Sequence, residues 1–137
     1  MSRAVSTEPD FDGAAALRGA VREFNARSDE IVRLQGLTPE QYQLLLLIRV
    51  SPREEATIGN LYKSLHRGQS AVTQLARRME NRGLIARELS KQDARVRYLT
   101  LTKRGEQRLG DAVTALGGER SRLLSLLRQL GGRDDAD

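Results

Sequence analysis

Apolar side chains recur at helical intervals along the first quarter of the chain. They fall three, four or seven positions apart at Leu17, Val21, Phe24, Ile31 and Leu34. Such intervals place apolar groups on one face of a helix, and Gly36 interrupts them. The pattern predicts a first helix over residues 11–35.

Two further helices are predicted from their start signals. In residues 38–41 (TPEQ), threonine can cap free N–H groups, proline fits the first turn, and glutamine occupies the capping-box position. That helix should extend to about Val50. After a polar connection, Thr57 can cap a short helix that ends near Leu65, and residues 66–68 predict a turn.

Residues 69–83 predict a helix with two chemically different sides, because side chains advance by about 100° per residue. The aliphatic side consists of Val72, Leu75, Ala76 and Met79. The opposite side consists of Ser70, Thr73, Gln74, Arg77 and Asn81. A helix of this kind buries its aliphatic side and exposes the other. With the short helix and turn before it, it forms a helix-turn-helix.

A β-hairpin is predicted directly after this helix. Residues 84–90 and 95–102 have the composition of strands, and the second alternates β-branched or aromatic residues with other types. Residues 91–94 form the turn between them. A hairpin that follows a helix-turn-helix predicts a winged helix.

The C-terminal region predicts two closing helices over residues 106–130, divided at Gly117-Gly118. Their leucines keep a four-three spacing, which is typical of a seam between helices. The seam belongs either to the core of one subunit or to an interface between two. Residues 1–10 and 131–137 lack apolar periodicity and are expected to be flexible.

Composition limits the chemistry of this chain of 137 residues, which has no cysteine and one histidine, His66. Without cysteine there is no disulfide, thiolate metal site or thiol-based redox sensor. A single imidazole does not build a histidine-rich metal cluster, and no nucleophile-and-base constellation is recognisable around it. We therefore expect no enzyme, no cofactor and no metal site. His66 itself can either contact a phosphate or pack its ring against a neighbour.

The sequence predicts no association with membranes. No apolar run approaches the roughly 18 residues that span a bilayer. The N-terminal residues lack the apolar stretch of a secretion signal. We therefore expect a cytoplasmic protein with no membrane partner.

Positive charge is concentrated between Lys63 and Arg104, a segment that we call the basic block. It contains eleven basic and three acidic residues, so its net charge is +8 in a chain whose total is +5. A basic segment in an otherwise slightly acidic chain is the expected electrostatic footprint of a surface that binds a polyanion. Ordinary solvated charge is the alternative explanation.

Two motifs follow one another in this segment. The first runs from Ser70-Ala71-Val72-Thr73-Gln74-Leu75 to Gly83-Leu84-Ile85 and Arg87. The second is Asp93-Ala94-Arg95, with Leu101-Thr102 and Gly105 after it. They resemble the recognition helix ending in GL(V/I)xR, the D-x-R wing and the L-T-x-x-G motif of the MarR family of bacterial winged-helix transcriptional regulators. The resemblance covers roughly residues 34–113.

The resemblance implies a homodimer whose first and last helices intertwine and hold two winged helices over successive turns of double-stranded DNA. The operator would be an inverted repeat, and the chain would act as a repressor. The family also implies relief by a small effector, often an anionic aromatic compound. No motif assigns the residues of an effector pocket in this chain.

The polar side of the recognition helix has the groups that base and phosphate contacts need. Glutamine can pair with adenine, arginine can bind guanine through two hydrogen bonds, and hydroxyls can reach phosphates or bases. The helix start also favours a phosphate. The predicted DNA-binding residues of this helix are Gln69, Ser70, Thr73, Gln74 and Arg77. The alternative is a polar surface helix without a ligand.

In the wing, Arg95 is expected at the tip, where it would enter the minor groove. Lys91 and Arg97 would contact phosphates on either side of it. Asp93 would orient an arginine, since phosphates repel a carboxylate. The alternative is a hairpin that carries only solvated charges.

The predicted organisation is an N-terminal dimerisation helix over residues 11–35, a winged helix-turn-helix over residues 36–105, and C-terminal dimerisation helices over residues 106–130. The predicted interface residues are Leu17, Leu116, Leu123, Leu127 and Leu130. A competing hypothesis from another class is a winged-helix module that binds protein instead of DNA. The basic block argues against it, because protein interfaces rarely carry charge of one sign.

Overall fold

The computed structural model describes residues 8–135, and for residues 131–135 it describes the backbone alone. This part of the chain forms six α-helices and one two-stranded sheet. They are α1 (Phe11–Leu34), α2 (Pro39–Val50), α3 (Ile58–Leu61), α4 (Gln69–Asn81), β1 (Ile85–Leu89), β2 (Arg97–Leu101), α5 (Lys103–Ala115) and α6 (Glu119–Asp135), with a 3-10 turn at Arg53–Glu55. The predicted fold class, a mainly helical chain with a β-hairpin after a helix-turn-helix, is confirmed.

Helix α2 begins as its start signal predicts. Thr38 Oγ1 accepts a hydrogen bond from the Gln41 N–H at 3.2 Å, and Gln41 Oε1 accepts one from the Thr38 N–H at 3.1 Å. These two bonds close a capping box, with Pro39 in the first turn. The predicted capping box is confirmed.

Helix α3 is shorter than predicted. Thr57 caps it as expected, with Thr57 Oγ1 accepting from the Asn60 N–H at 3.2 Å, but the helix ends at Leu61. The chain then continues in turns to His66, whose φ of 54° lies in the left-handed region. A right-handed helix cannot continue through that conformation. The His66 residue is exposed, so it does not belong to the core.

The described residues form two compact units, which we call the large unit and the small unit. The large unit contains residues 29–116 and has one hydrophobic core, to which α2, α4, the hairpin and α5 contribute. Its largest fully buried side chains are Leu44, Leu45, Val72, Met79 and Leu84. Residues 106–116 belong to this unit, although the sequence grouped them with the dimerisation helices.

Leu116 corrects the predicted dimer interface. Its side chain is only 6% exposed and lies in the core of the large unit with Leu109 and Ala112 of α5. These residues share the helical spacing of the C-terminal leucines. Spacing alone therefore does not separate a helix packed inside one subunit from a helix that packs against a second.

The small unit contains residues 8–28 of the first helical region and residues 117–135. In it, the Arg122 guanidinium lies 4.9 Å from the centre of the Phe24 ring, and Arg122 Nη2 donates to Ser28 Oγ at 3.2 Å. A cation–π contact and a hydrogen bond thus join α6 to α1 within this unit.

The backbone of α6 continues to Asp135, whereas the sequence predicted a flexible tail from residue 131. Gly131 and Gly132 lower helix propensity but can adopt helical angles. Residues 1–7 and 136–137 of the predicted flexible ends lie outside the described residues. None of the helices in the described part combines the length and the apolar character needed to cross a membrane.

The hairpin is antiparallel, with Ile85 opposite Leu101 at its base and Leu89 opposite Arg97 at its far end. Each strand is shorter than predicted, because the residues beyond Leu89 and before Arg97 form the connecting loop. The main chain of β2 also makes a hydrogen bond outside the hairpin, in which the Leu99 N–H donates to the Ala56 carbonyl at 2.7 Å.

The start of α5 is fixed against the base of the hairpin. Thr102 Oγ1 donates to the Gly83 carbonyl at 2.6 Å and accepts from the Gly105 N–H at 3.0 Å. A Cβ atom on Gly105 would lie only 2.0 Å from the carbonyl oxygen of Leu84. The two hydrogen bonds explain the threonine of the L-T-x-x-G motif, and the close approach explains its glycine.

Replacing Gly105 with alanine is expected to destabilise the fold, because the added methyl group overlaps the Leu84 carbonyl. The expected loss in the free energy of unfolding is about 1–3 kcal/mol, the usual cost of overpacking. Gly110→Ala in the same helix is the control: its Cβ would meet nothing within 4 Å, so it should stabilise by up to about 1 kcal/mol through helix propensity. Urea denaturation measures both variants, and equal stabilities would contradict this account.

Candidate nucleic-acid interface

The aliphatic side of α4 is fully engaged in the core of the large unit. Val72, Ala76 and Met79 have exposures of 0%, and Leu75 is 6% exposed. These are the four residues that helical periodicity placed on one side. The prediction that this side of the helix packs is confirmed, and the rotation of α4 about its own axis is fixed by it.

The opposite side of α4 faces outward. Gln69, Ser70, Gln74, Arg77 and Asn81 are exposed, and Thr73 is half-buried. Because the aliphatic side is buried, the amide and guanidinium groups of Gln74 and Arg77 lie on the accessible side of the helix. The structure thus brings the predicted recognition residues together on one surface.

Thr73 differs from its neighbours, because its hydroxyl already has a partner. Thr73 Oγ1 donates to the Gln69 carbonyl one helical turn earlier, at 2.9 Å. A helical threonine commonly makes this bond, which consumes its only side-chain donor. Its γ-methyl group is the part of the side chain without a hydrogen-bonding role. In the free protein the hydroxyl can still accept a hydrogen bond but has no donor left, so the predicted contact of Thr73 with DNA stays a prediction.

The start of α4 is built differently from the starts of three other helices. Thr38, Thr57 and Thr102 each cap their helix with a side-chain oxygen. At α4 the N-cap is Gly68, which makes no side-chain hydrogen bond. The first N–H groups of α4 are therefore left for an external acceptor, and the positive end of the helix dipole favours an anion there.

The loop of the hairpin is held by two of its own side chains. Ser90 Oγ accepts from the N–H groups of Gln92 and Asp93 at 3.1 and 3.2 Å. Asp93 Oδ1 accepts from the Arg95 N–H at 3.0 Å and lies 3.6 Å from Arg95 Nε. The Arg95 side chain is nevertheless 94% exposed. The loop thus presents a long cation on an ordered backbone.

Lys91 and Arg97 are also exposed, one in the loop and one at the start of β2. In the described part of the chain neither takes part in an ion pair. Together with Arg95 they give the end of the hairpin three cations and a single carboxylate, that of Asp93. Such a surface attracts a polyanion.

Several cations of the basic block are neutralised within the protein. Arg87 Nε binds Glu80 Oε1 at 2.6 Å, and Arg67 Nη2 binds Glu40 Oε1 at 2.9 Å. Arg77, in contrast, makes no ion pair in the described part of the chain. The charge count along the sequence therefore overstates the number of cations that are free to meet a ligand.

The sequence analysis did not assign a role to Arg78, which lies in α4, or to Arg82, which ends that helix. Arg78 is exposed and unpaired in the described residues, next to Arg77, and extends the cationic surface. Arg82, counted in the basic block, instead turns to the protein: its Nη1 and Nη2 donate to Gln41 Oε1 and the Gly36 carbonyl, each at 2.8 Å. Helical position could have found Arg78, but nothing near Arg82 in the sequence indicates partners more than 40 residues away.

Comparison with known proteins identifies the family. A model of the MarR family matches residues 35–96. The HTH-type transcriptional repressor MdtR of Bacillus subtilis is 30% identical over 114 residues, which are 83% of this chain and 72% of MdtR. The chain belongs to the MarR family. The members of this family are transcriptional regulators and not enzymes.

Solved structures show the same MarR fold. A MepR variant of Staphylococcus aureus superimposes with a TM-score of 0.74 at 22% identity, covering 90% of each chain. AbsC of Streptomyces coelicolor, described as a MarR family transcriptional regulator, gives 0.71 at 21% identity, covering 98% of this chain and 93% of AbsC. A complex of S. aureus MepR with DNA gives 0.63 at 23% identity, covering 87% and 88%.

Among the side chains that the structure describes, no group of three or more histidine, aspartate or glutamate residues could hold a metal ion. The predicted DNA-binding residues lie on the outward side of α4 and at the end of the hairpin.

Proposed function

We propose that the chain is a sequence-specific regulator that binds double-stranded DNA through α4 and the hairpin wing. The observation that carries the proposal is the division of α4 into a fully buried aliphatic side and an exposed side with amide, hydroxyl and guanidinium groups. An exposed helix start without a side-chain cap adds a place for a phosphate.

In this proposal α4 lies in the major groove. Arg77 binds guanine through two hydrogen bonds, and Gln74 pairs with the edge of adenine. Ser70 and the N–H groups that follow Gln69 contact phosphates and fix the register. Thr73 presents its γ-methyl group to the methyl group of a thymine, since its hydroxyl is bound to the helix backbone.

The wing adds contacts in the neighbouring minor groove. Arg95 enters the groove, where a narrow A·T tract has a strongly negative potential. Lys91 and Arg97 contact phosphates beside it. Asp93 keeps the Arg95 backbone and guanidinium in place, in agreement with the two contacts that it makes in the free protein.

The protein is proposed to act as a homodimer on an inverted repeat whose half-sites lie about one helical turn apart. Support comes from the exposed apolar side chains of the small unit, since surfaces of this kind mark interaction sites. They are Phe11, Leu17, Val21, Leu124 and Leu127. Leu123 and Leu130 are half-buried in the same unit and complete the proposed interface.

Regulation is the remaining part of the proposal. The relative MdtR is named a repressor, and we infer that this chain also represses transcription in the cytoplasm. A small effector, of the anionic aromatic kind that the family resemblance implies, would stabilise a dimer with misplaced recognition helices. DNA affinity would fall by the difference between the effector's affinities for the two forms. A thermal-shift screen with aromatic acids tests for such a ligand.

A mobility-shift experiment separates this proposal from a module that binds protein. The purified protein is mixed with genomic fragments, and the retained fragments are sequenced. A common inverted repeat among them supports the proposed function. Retention without any common sequence, or no retention at low salt, overturns it.

Arg77→Ala and Arg95→Ala are expected to weaken operator binding in different ways. Arg77→Ala should cost about 1–3 kcal/mol and relax the preference at one base pair, because a base contact is lost. Arg95→Ala should weaken binding and lower the slope of log affinity against log salt by about one unit. Fluorescence anisotropy at several salt concentrations measures both. Arg33→Ala, at an exposed arginine outside the basic block, is the control, and three equal affinities would reject these contacts.

Thr73 is expected to recognise a thymine methyl group. Replacing the contacted thymine with uracil should weaken binding to the wild type about fourfold, as expected for one buried methyl group. Thr73→Val keeps a γ-methyl group and should retain this sensitivity, whereas Thr73→Ser should lose it. Anisotropy on paired thymine and uracil operators gives the comparison. Equal sensitivity of the serine and valine variants would contradict the assignment.

Leu127→Asp is expected to shift the protein toward monomers, because it places a charge in the proposed apolar interface. Sedimentation equilibrium should give twice the subunit mass for the wild type and a lower mass for the variant. Ser125→Asp, at an exposed polar residue of the same helix, is the control. A monomeric wild type would contradict the dimer.

A further inference from the structure

The C-terminal end of α4 is bound to the connection between α1 and α2. Arg82, the residue that ends α4, donates from Nη1 to Gln41 Oε1 and from Nη2 to the Gly36 carbonyl, each at 2.8 Å. Gly36 lies in the connection, and Gln41 lies in the first turn of α2. One planar guanidinium therefore joins the recognition helix to two points that are more than 40 residues away in the sequence.

The acceptor of the first bond is itself fixed. Gln41 is 8% exposed, and its Oε1 also accepts from the Thr38 N–H at 3.1 Å as part of the capping box of α2. A side-chain oxygen that serves both the helix cap and Arg82 has little freedom to move. Displacing Arg82 thus removes a hydrogen bond from Gln41 Oε1, the oxygen that also caps the start of α2.

The connection is held from a second direction by α5. Arg108 Nη1 donates to the Gln35 carbonyl at 3.4 Å, and a Cβ on Gly36 would lie only 2.4 Å from this nitrogen. Gly36 has a φ of 81°, which a residue with a side chain rarely adopts. We call this set of Arg82, Arg108, Gln35, Gly36 and Gln41 the arginine clasp.

We propose that Arg82 is a positioning residue for DNA recognition: without touching DNA, it fixes the C-terminal end of α4 relative to the connection between α1 and α2. Apolar packing fixes which side of α4 faces outward but tolerates small shifts of the helix end, whereas two hydrogen bonds from one rigid guanidinium fix both distance and angle. Because the connection follows directly after α1, the clasp ties the recognition helix to the end of the helix proposed for dimerisation. This inference rests on the proposed function.

The alternative role for Arg82, a direct phosphate contact, predicts a different salt dependence. A lost phosphate contact lowers the slope of log affinity against log salt by about one unit, while a misplaced helix leaves the number of contacted phosphates unchanged. A purely structural role predicts a third pattern, in which all operators lose affinity equally. The test therefore measures salt dependence and the preference for half-site spacing together.

Arg82→Gln is compared with the wild type on the selected operator and on operators with one base pair more or fewer between the half-sites. The clasp predicts operator affinity weaker by about tenfold, the loss expected when a base contact is misplaced. It also predicts an unchanged salt slope and a reduced preference for the native spacing. Binding is measured by fluorescence anisotropy at a temperature where circular dichroism shows every variant to be folded.

Three variants serve as controls. Arg87→Gln breaks the Arg87–Glu80 pair, which is also partly buried but does not touch the connection, and it should leave spacing preference unchanged. Gln41→Met removes the Oε1 acceptor, should reproduce Arg82→Gln, and should add little to it in the double variant. Gln41→Glu keeps acceptor oxygens and should retain wild-type affinity and spacing preference.

Four outcomes overturn the positioning role. They are unchanged affinity and spacing preference in Arg82→Gln, a lowered salt slope, an equal loss on all spacings, and additive effects of Arg82→Gln and Gln41→Met. If the wild type binds a specific operator and one of these is observed, only the clasp proposal fails. If the wild type binds no specific DNA, the proposed function fails, and the clasp proposal fails with it.

Discussion

Burial of the aliphatic side of α4 determines which side chains the large unit presents on that helix. Val72, Leu75, Ala76 and Met79 are inserted into the core of the large unit, and a helix with one side in the core has its other side determined. The chemistry of the exposed side is then free of any packing requirement. Glutamine, serine and arginine can occupy it without a cost to the fold.

Hydrogen bonds determine where individual helices begin and how the wing loop is closed, which apolar packing does not specify. Thr38 and Thr102 fix where α2 and α5 begin, and the wing loop is closed by Ser90 and Asp93. Gly68 differs from these threonines, because it leaves the N–H groups of α4 without a side-chain acceptor. Three helix starts are thus capped within the protein, and our proposal assigns the uncapped start of α4 to a phosphate.

Local patterns predicted those features that local physics determines. The capping box at Thr38, the two sides of α4 and the hairpin follow from neighbouring residues, and the structure has all three. The sequence did not predict contacts between residues that lie far apart along the chain. Leu116 has the spacing of a seam leucine but lies in the core, and Arg82 belongs to the basic block but donates to the Gly36 carbonyl. Residue type and spacing carry no information about partners that lie far away in the sequence.

A crystal structure of the protein bound to its selected operator would show directly whether α4 contacts the bases. We expect the polar side of α4 in the major groove, with Arg77 and Gln74 within hydrogen-bonding distance of base edges and the aliphatic side still in the core. Arg77 and Gln74 turned away from the DNA, or covered by a second subunit, would contradict it.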